Sequence, residues 1–172
     1  MKNMKKIGLV ALMALTVVFN SCSSDDDNGG TGGTGSGSFL HAKVDGTQFK
    51  AEVMGQSTVG ATRMGSGSAQ IISVIGGIMD GTNVSISLRG VIEAGTYELN
   101  PESDSVIAYT TAGGAAAYGT GICAGATGQV KITSISAEKI EGTFTFTGKD
   151  GENCSSSKSI TNGSFRGMFS NL

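Results

Sequence analysis

The chain has 172 residues, with 12 basic and 14 acidic side chains, a formal net charge of −2, 28 glycines, one proline and no tryptophan. A mildly acidic chain is poorly suited to nucleic acid, whose binding is dominated by neutralising phosphates. Nucleic acid is therefore not expected as a partner.

The first residues have three parts: a basic start (Lys2, Lys5, Lys6), thirteen mostly apolar residues from Ile7 to Phe19, and a polar exit at Asn20 and Ser21. That is the layout of a secretory signal spanning residues 1–21. Thirteen helical residues rise about 20 Å against a hydrocarbon core of about 30 Å, so a permanent membrane span is not expected. The longest later apolar run, Ile71 to Met79, is nine residues and contains two glycines. Removal of the leader takes three lysines with it, leaving nine basic against fourteen acidic side chains, a net charge of −5. Residues 22–38 then read as a tether of glycine, serine and aspartate with no large apolar side chain. Such a segment cannot fold by itself, and its typical reach is about 20 Å. Gly30 to Gly35 spells G-x-G-x-x-G, but no strand precedes it and no helix follows, so it is read as a chance match.

Residues 39–172 are the right size for one domain. No window of ten residues has convincing helical spacing, whereas β-branched and aromatic residues alternate with polar ones throughout. Asp45-Gly46 predicts a type I′ hairpin, because that turn needs positive φ at both central residues. Pairing about it sets Val44 against Thr47, Ala42 against Phe49 and Leu40 against Ala51 on one face. His41, Lys43, Gln48, Lys50 and Glu52 fall on the other. A second hairpin is predicted at Asp80-Gly81, with Met79 opposite Thr82, Ile75 opposite Ile86 and Ser73 opposite Leu88. The first strand of that hairpin is apolar on both sides and is expected to be covered on both.

Further strands are expected in "GTYELN", "SVIAYTT", "AYGTGICA", "QVKITSI", "KIEGTFTFTG" and "SITNGSFRGMF". In the fifth, threonines alternate with Gly142, Phe144 and Phe146; Asn162-Gly163 in the last marks a turn or bulge. Nine or ten short strands with turn signals every dozen residues predict an all-β domain, a single antiparallel β-sandwich or a partly closed β-barrel. Ala112 to Gly128, almost all small residues, is either a loop or a strand pressed against another backbone or a ligand.

The leader resembles bacterial lipoprotein signals, in which a small residue precedes a cysteine that is lipidated and becomes the mature N-terminus; Ser21-Cys22 fits those positions. Ser24, Asp25, Asp26 and Asp27 resemble the surface-export signal of Bacteroidota lipoproteins. The domain adds "F-x-A-x-V-D-G-x-x-F-x-A" (Phe39 to Ala51, one residue longer at the front), "AGTYEL" (Ala94 to Leu99), "I-x-G-T-F-x-F" (Ile140 to Phe146) and "I-T-N-G-x-F-x-G-x-F" (Ile160 to Phe169). Together these resemble a family of small uncharacterised Bacteroidota lipoproteins with no assigned activity. The resemblance implies a lipid anchor at Cys22, an outer-membrane address and display toward the cell exterior, with the periplasmic face as the alternative. Two or three acyl chains, at about 0.8 kcal/mol per buried methylene, hold such an anchor essentially for good.

With Cys22 given to lipid, Cys123 and Cys154 remain, and a disulfide between them is expected in an oxidising compartment. The alternative is two separately buried thiols. Asp104-Ser105-Val106 resembles a Bacteroidota O-glycosylation sequon, which makes Ser105 a candidate acceptor.

No G-x-S-x-G, H-E-x-x-H or Walker sequence is present. His41 could serve as a general base in principle, but it shares the polar hairpin face with Lys43 and is read as a solvated strand histidine. Glu98 with Glu102 and Asp104, or Glu138 with Glu141, could supply paired carboxylates, yet acids beside turns are ordinary. Residues 101–104 and 149–153 could offer oxygens to calcium, which tight polar turns explain equally well. An enzyme, a cofactor and a metal site are therefore not expected. The sequence is read as a membrane-anchored binding or structural module with a protein or glycan partner; the alternative is a lipocalin-like carrier of a small ligand. The two differ in whether the interior is filled or hollow, and inward Phe49, Phe144, Phe146 and Tyr97 favour a filled one.

Overall fold

A computed structural model of the chain describes residues 37–170, so Cys22 and the Ser24–Asp27 tract lie outside the described residues. The strands are β1 (Phe39–Val44), β2 (Thr47–Lys50), β3 (Glu52–Val53), β4 (Gln56–Ser57), β5 (Gly60–Met64), β6 (Ile71–Gly77) and β7 (Asn83–Arg89). They continue as β8 (Gly95–Leu99), β9 (Val106–Thr110), β10 (Ala117–Gly119), β11 (Thr127–Ile135), β12 (Lys139–Asp150) and β13 (Ser157–Met168). Nine of them form one antiparallel path, β2-β1-β13-β12-β10-β9-β7-β6-β5, which curls into a half-barrel. An isolated parallel bridge between Ala61 and Phe169 brings β5 back against the end of β13. β11 and β8 branch from β12, whose one edge serves β11 over most of its length and β10 at its last two residues. β3 and β4 make a separate small hairpin.

The all-β expectation therefore holds, with more strands than predicted and two, β12 and β13, of twelve residues each. The first hairpin has the predicted register, and Asp45 and Gly46 take φ of 48° and 84°. The second hairpin corrects its prediction by one residue. Ile72 faces Leu88, Val74 faces Ile86 and Ile75 faces Ser85, because the turn holds three residues, Met79 to Gly81, rather than two. Ile78 donates to the Thr82 carbonyl, the Asp80 carboxylate caps the Thr82 amide, and Gly81 takes φ +89°. With a side-chain period of two, that single residue decides which face meets the core. Ile72 and Val74 are buried, whereas Ile75 is 51% exposed, so β6 is covered on one side at that position and not on both.

The core is filled by inward positions of every major strand, among them Leu40, Ile86, Leu88, Ile107, Ile140 and Phe165. Each such side chain contributes about 1.5–3 kcal/mol on burial. Phe144 and Phe165 pack 6.2 Å apart, and Phe144 lies 6.5 Å from Phe146. Their placement explains two glycines: Gly142 pairs with Phe165 and Gly163 with Phe144 across the β12–β13 ladder. A Cβ on Gly163 would come within 2.5 Å of the Phe144 ring, so each ring covers the backbone its partner leaves bare. Asn162, at φ +50°, sits in the predicted bulge, where Thr161 and Asn162 together face Thr145.

Candidate functional site

Strand polarity sorts the connections to two poles. At the terminal pole, where the described chain begins and ends, Ser38 Oγ accepts from the Met168 amide at 3.0 Å and the Phe169 amide donates to Glu138 O at 2.8 Å. Arg63 lies over the Phe169 ring at 4.1 Å, and Gln70 Nε2 donates to Val91 O at 2.7 Å. The loop pole, at the other ends of the same strands, gathers the 45–46 and 79–81 turns, residues 111–116 and the 151–156 loop. The Gly113 amide donates to Asp80 O at 2.8 Å, and Gly151 N donates to Ala117 O at 3.2 Å.

Three carboxylates organise the loop pole. Asp150 is almost fully buried, and its Oδ1 accepts from the amides of Glu152 (3.2 Å) and Asn153 (2.9 Å). Its Oδ2 takes the Ser156 amide and hydroxyl at 2.8 and 2.9 Å. The Asn153 amide foremost, then that of Ser156, holds this carboxyl far below the usual carboxylate range. Asp45 accepts from Lys158 Nζ at 2.7 Å and from the Ser159 amide at 2.9 Å, which lowers its pKa and raises that of the lysine. Asp80 is lowered by the Thr82 amide. Cys123 and Cys154 are bridged, with Cα atoms 5.6 Å apart, so the loop that Asp150 folds is also stapled to the segment before β11. Cys154 holds φ +60°, a left-handed conformation uncommon outside glycine.

Between residues 114–118 and 150–156 lies an open cleft of about 390 Å³. Tyr118 is among the lining residues, its ring centroid 6.0 Å from Lys158 Nζ, and Glu152, Asn153 and Ser155 add polar side chains. The small-residue segment is mostly loop with one short strand in it: a Cβ on Gly148 would sit 2.6 Å from the Tyr118 carbonyl, so the three residues of β10 are pressed onto β12. Tyr109, next to Tyr118 in the β9–β10 ladder, packs edge-on to Phe49, and burial pushes its phenol pKa up. Two adjoining troughs of about 260 Å³ each cross the outer face of β11, β12 and β13, sharing Gln129 and Thr145. They are floored by short hydroxyl side chains of the alternating Thr143, Thr145 and Thr147.

The predicted chemistry distributes as follows. His41 is half-buried with Nε2 3.5 Å from Glu52 Oε1, on the polar hairpin face. Glu98 accepts from Gln129 Nε2 at 2.7 Å. Glu141 is held by Arg166 and by Lys139, the first foremost, and its carboxyl is lowered accordingly. No group of three or more His, Cys, Asp or Glu placed to hold a metal occurs among the described residues. In the 149–153 turn, the Asp150 oxygens that calcium would need are occupied by amides and a hydroxyl. Ser105 is 8% exposed and its Oγ accepts from the Arg89 amide, so in the folded domain it is too enclosed to be a ready sugar acceptor. The loop-pole cleft as a whole was not foreseen; its sequence signals were the small-residue segment 112–128, which supplies one wall, and the polar run around Cys154, which supplies the other.

A family model described as a domain of unknown function, DUF6252, matches residues 37–168. The chain belongs to that family. The matched span starts two residues before β1 and stops at the end of β13, so the DUF6252 domain is the whole half-barrel with both poles. Comparison with curated proteins and with solved structures gives no match.

Proposed function

We propose that this DUF6252 chain is a lipid-anchored outer-membrane lipoprotein, displayed toward the cell exterior, whose domain is a binding module without catalysis of its own. One observation carries the reading. The tether enters at Ser38, at the terminal pole, and the preformed cleft lies at the opposite one. Strand β13 alone, at about 3.3 Å per residue, separates the two by roughly 35–40 Å. A module held by Cys22 would thus present its loops away from the membrane, where recognition loops on a rigid scaffold belong. The leader and the acidic tract after Cys22 support the address.

The carrier alternative gains no support. Inward positions that a hollow barrel would leave open are filled by Phe144, Phe146 and Phe165, and the cleft and troughs described above open to solvent. The test is direct. Intact mass of the native protein is expected to show a chain starting at Cys22 with fatty acids attached, and protease added to intact cells is expected to remove the domain. A native chain that keeps residues 1–21 without fatty acid, or a domain fully protected on intact cells, refutes the proposal.

A further inference from the structure

From the cleft at the loop pole we infer a saccharide site that takes a neutral mono- or disaccharide unit of a glycan. The inference rests on the binding-module reading and names its ligand. The cleft holds about 390 Å³, room for one or two sugar rings, and its walls are fixed before any ligand arrives. One wall is tied by the Asp150 carboxylate through four hydrogen bonds and by the Cys123–Cys154 bridge. The other is tied by Gly113 to Asp80 and by the Thr111 hydroxyl to residue 116. Such preorganisation lowers the entropic cost of binding a small polar ligand.

The lining selects the ligand by elimination. An anion has no cation to meet, because no Lys or Arg lines the cleft and the nearby Lys158 ammonium is bonded to Asp45. A cation would gain Glu152 but would approach a Tyr118 ring that already has an ammonium 6.0 Å from its centroid. An apolar ligand would cut the side chains of Glu152, Asn153 and Ser155 off from water without offering them a partner.

An uncharged polyol matches what remains. Half-buried Tyr118 in the lining offers an aromatic ring to the C–H face of a sugar. The side-chain carboxylate of Glu152 and the Asn153 Nδ2 are consecutive and make no hydrogen bond within the described residues. An acceptor beside a donor suits two neighbouring hydroxyls, each of which both donates and accepts. Ser155 Oγ, likewise without a partner, supplies a third contact.

The experiment uses the full chain purified in detergent and ligand-observed NMR titration with maltose, cellobiose, lactose and N,N′-diacetylchitobiose, with tetramethylammonium and inorganic phosphate as charged probes. At least one disaccharide is expected to bind saturably. Tyr118→Ala and Asn153→Ala each weaken it about tenfold, and Glu152→Gln, which keeps an acceptor, about threefold. Thr145→Ala in the outer trough leaves binding unchanged. Circular dichroism and an intact disulfide confirm that each variant is folded. The inference is overturned if no disaccharide saturates, if either charged probe binds and the sugars do not, or if sugar binding survives both Tyr118→Ala and Asn153→Ala. Because the titration uses purified protein, its failure leaves the anchoring and display results untouched, and their failure leaves it untouched.

Discussion

At the terminal pole, Ser38, Arg63 and Gln70 reach backbone groups across strand ends and Phe169 closes the seam; at the loop pole, Asp45, Asp80, Asp150 and a disulfide do the corresponding work. One pole is sealed mainly by strand pairing and packing. The other holds three depressed carboxylates and the covalent bond, against the single Glu141 cluster at the terminal pole, so acid acts on it more strongly and a reductant on it alone. The difference shows how a single sheet can join a firm base to a chemically tuned rim, with Phe144, Phe146 and Phe165 packed between them.

The largest expected effect breaks both poles at once. Phe165→Ala leaves a void at the centre of the core and should cost about 3–5 kcal/mol, measured as a lower urea midpoint. If the two poles were independent, only one set of amides would lose protection in hydrogen exchange. Next, Cys123→Ala with Cys154→Ala opens a loop of 31 residues and should cost about 3.5 kcal/mol. Its exchange signature is expected at residues 121–126 and 150–156 and not at the terminal pole.

Acid should act more gently and on the same side. Asp45, Asp80 and Asp150 all titrate below the ordinary aspartate value of 3.8 in the fold. A depressed carboxyl stabilises the native state fully above its unfolded-state pKa, and the contribution fades as pH falls through and below that value. Below about pH 4, amides of residues 151–156 should lose protection first, and Asp150→Asn should produce the same loosening at neutral pH. Equal loss at both poles would remove the contrast. The smallest effect is at Arg63, whose Nε is buried without a partner although Nη2 bonds Ser136 O. Arg63→Met keeps an apolar stem over Phe169 and removes the orphaned donor, so the net change should stay within about 1 kcal/mol by urea unfolding.

Local features of the fold were legible where two signals agreed. Asp45-Gly46 announces positive φ, and the alternation on either side fits only one register. At Asp80-Gly81 the same dipeptide misled, because Gly81 closes a three-residue loop and the doubly apolar strand tolerates either face in a pattern. The β3–β4 hairpin went unread: its turn sets Met54 at φ +53° before Gly55 at φ +76°, so only the second residue carries a turn signature, and the two strands are two residues each. The branching of β12 and the meeting of residues 114–118 with 150–156 in one cleft depend on contacts distant in sequence, and no local pattern encodes them. Of the cleft, the Cys123–Cys154 bridge and the small-residue character of one wall could be read in advance, and their meeting could not. Ser105 read as an acceptor by its neighbours, and only the fold revealed that its hydroxyl serves the Arg89 amide.

The pairing of β1 with β13 has a consequence for how the chain is made. The earliest strand pairs with β2 at once but finds its second neighbour only when the last strand has been delivered, so a ribosome or a translocation pore releasing the polypeptide from its front cannot complete the fold midway. Such a chain stays threadable until its tail is out.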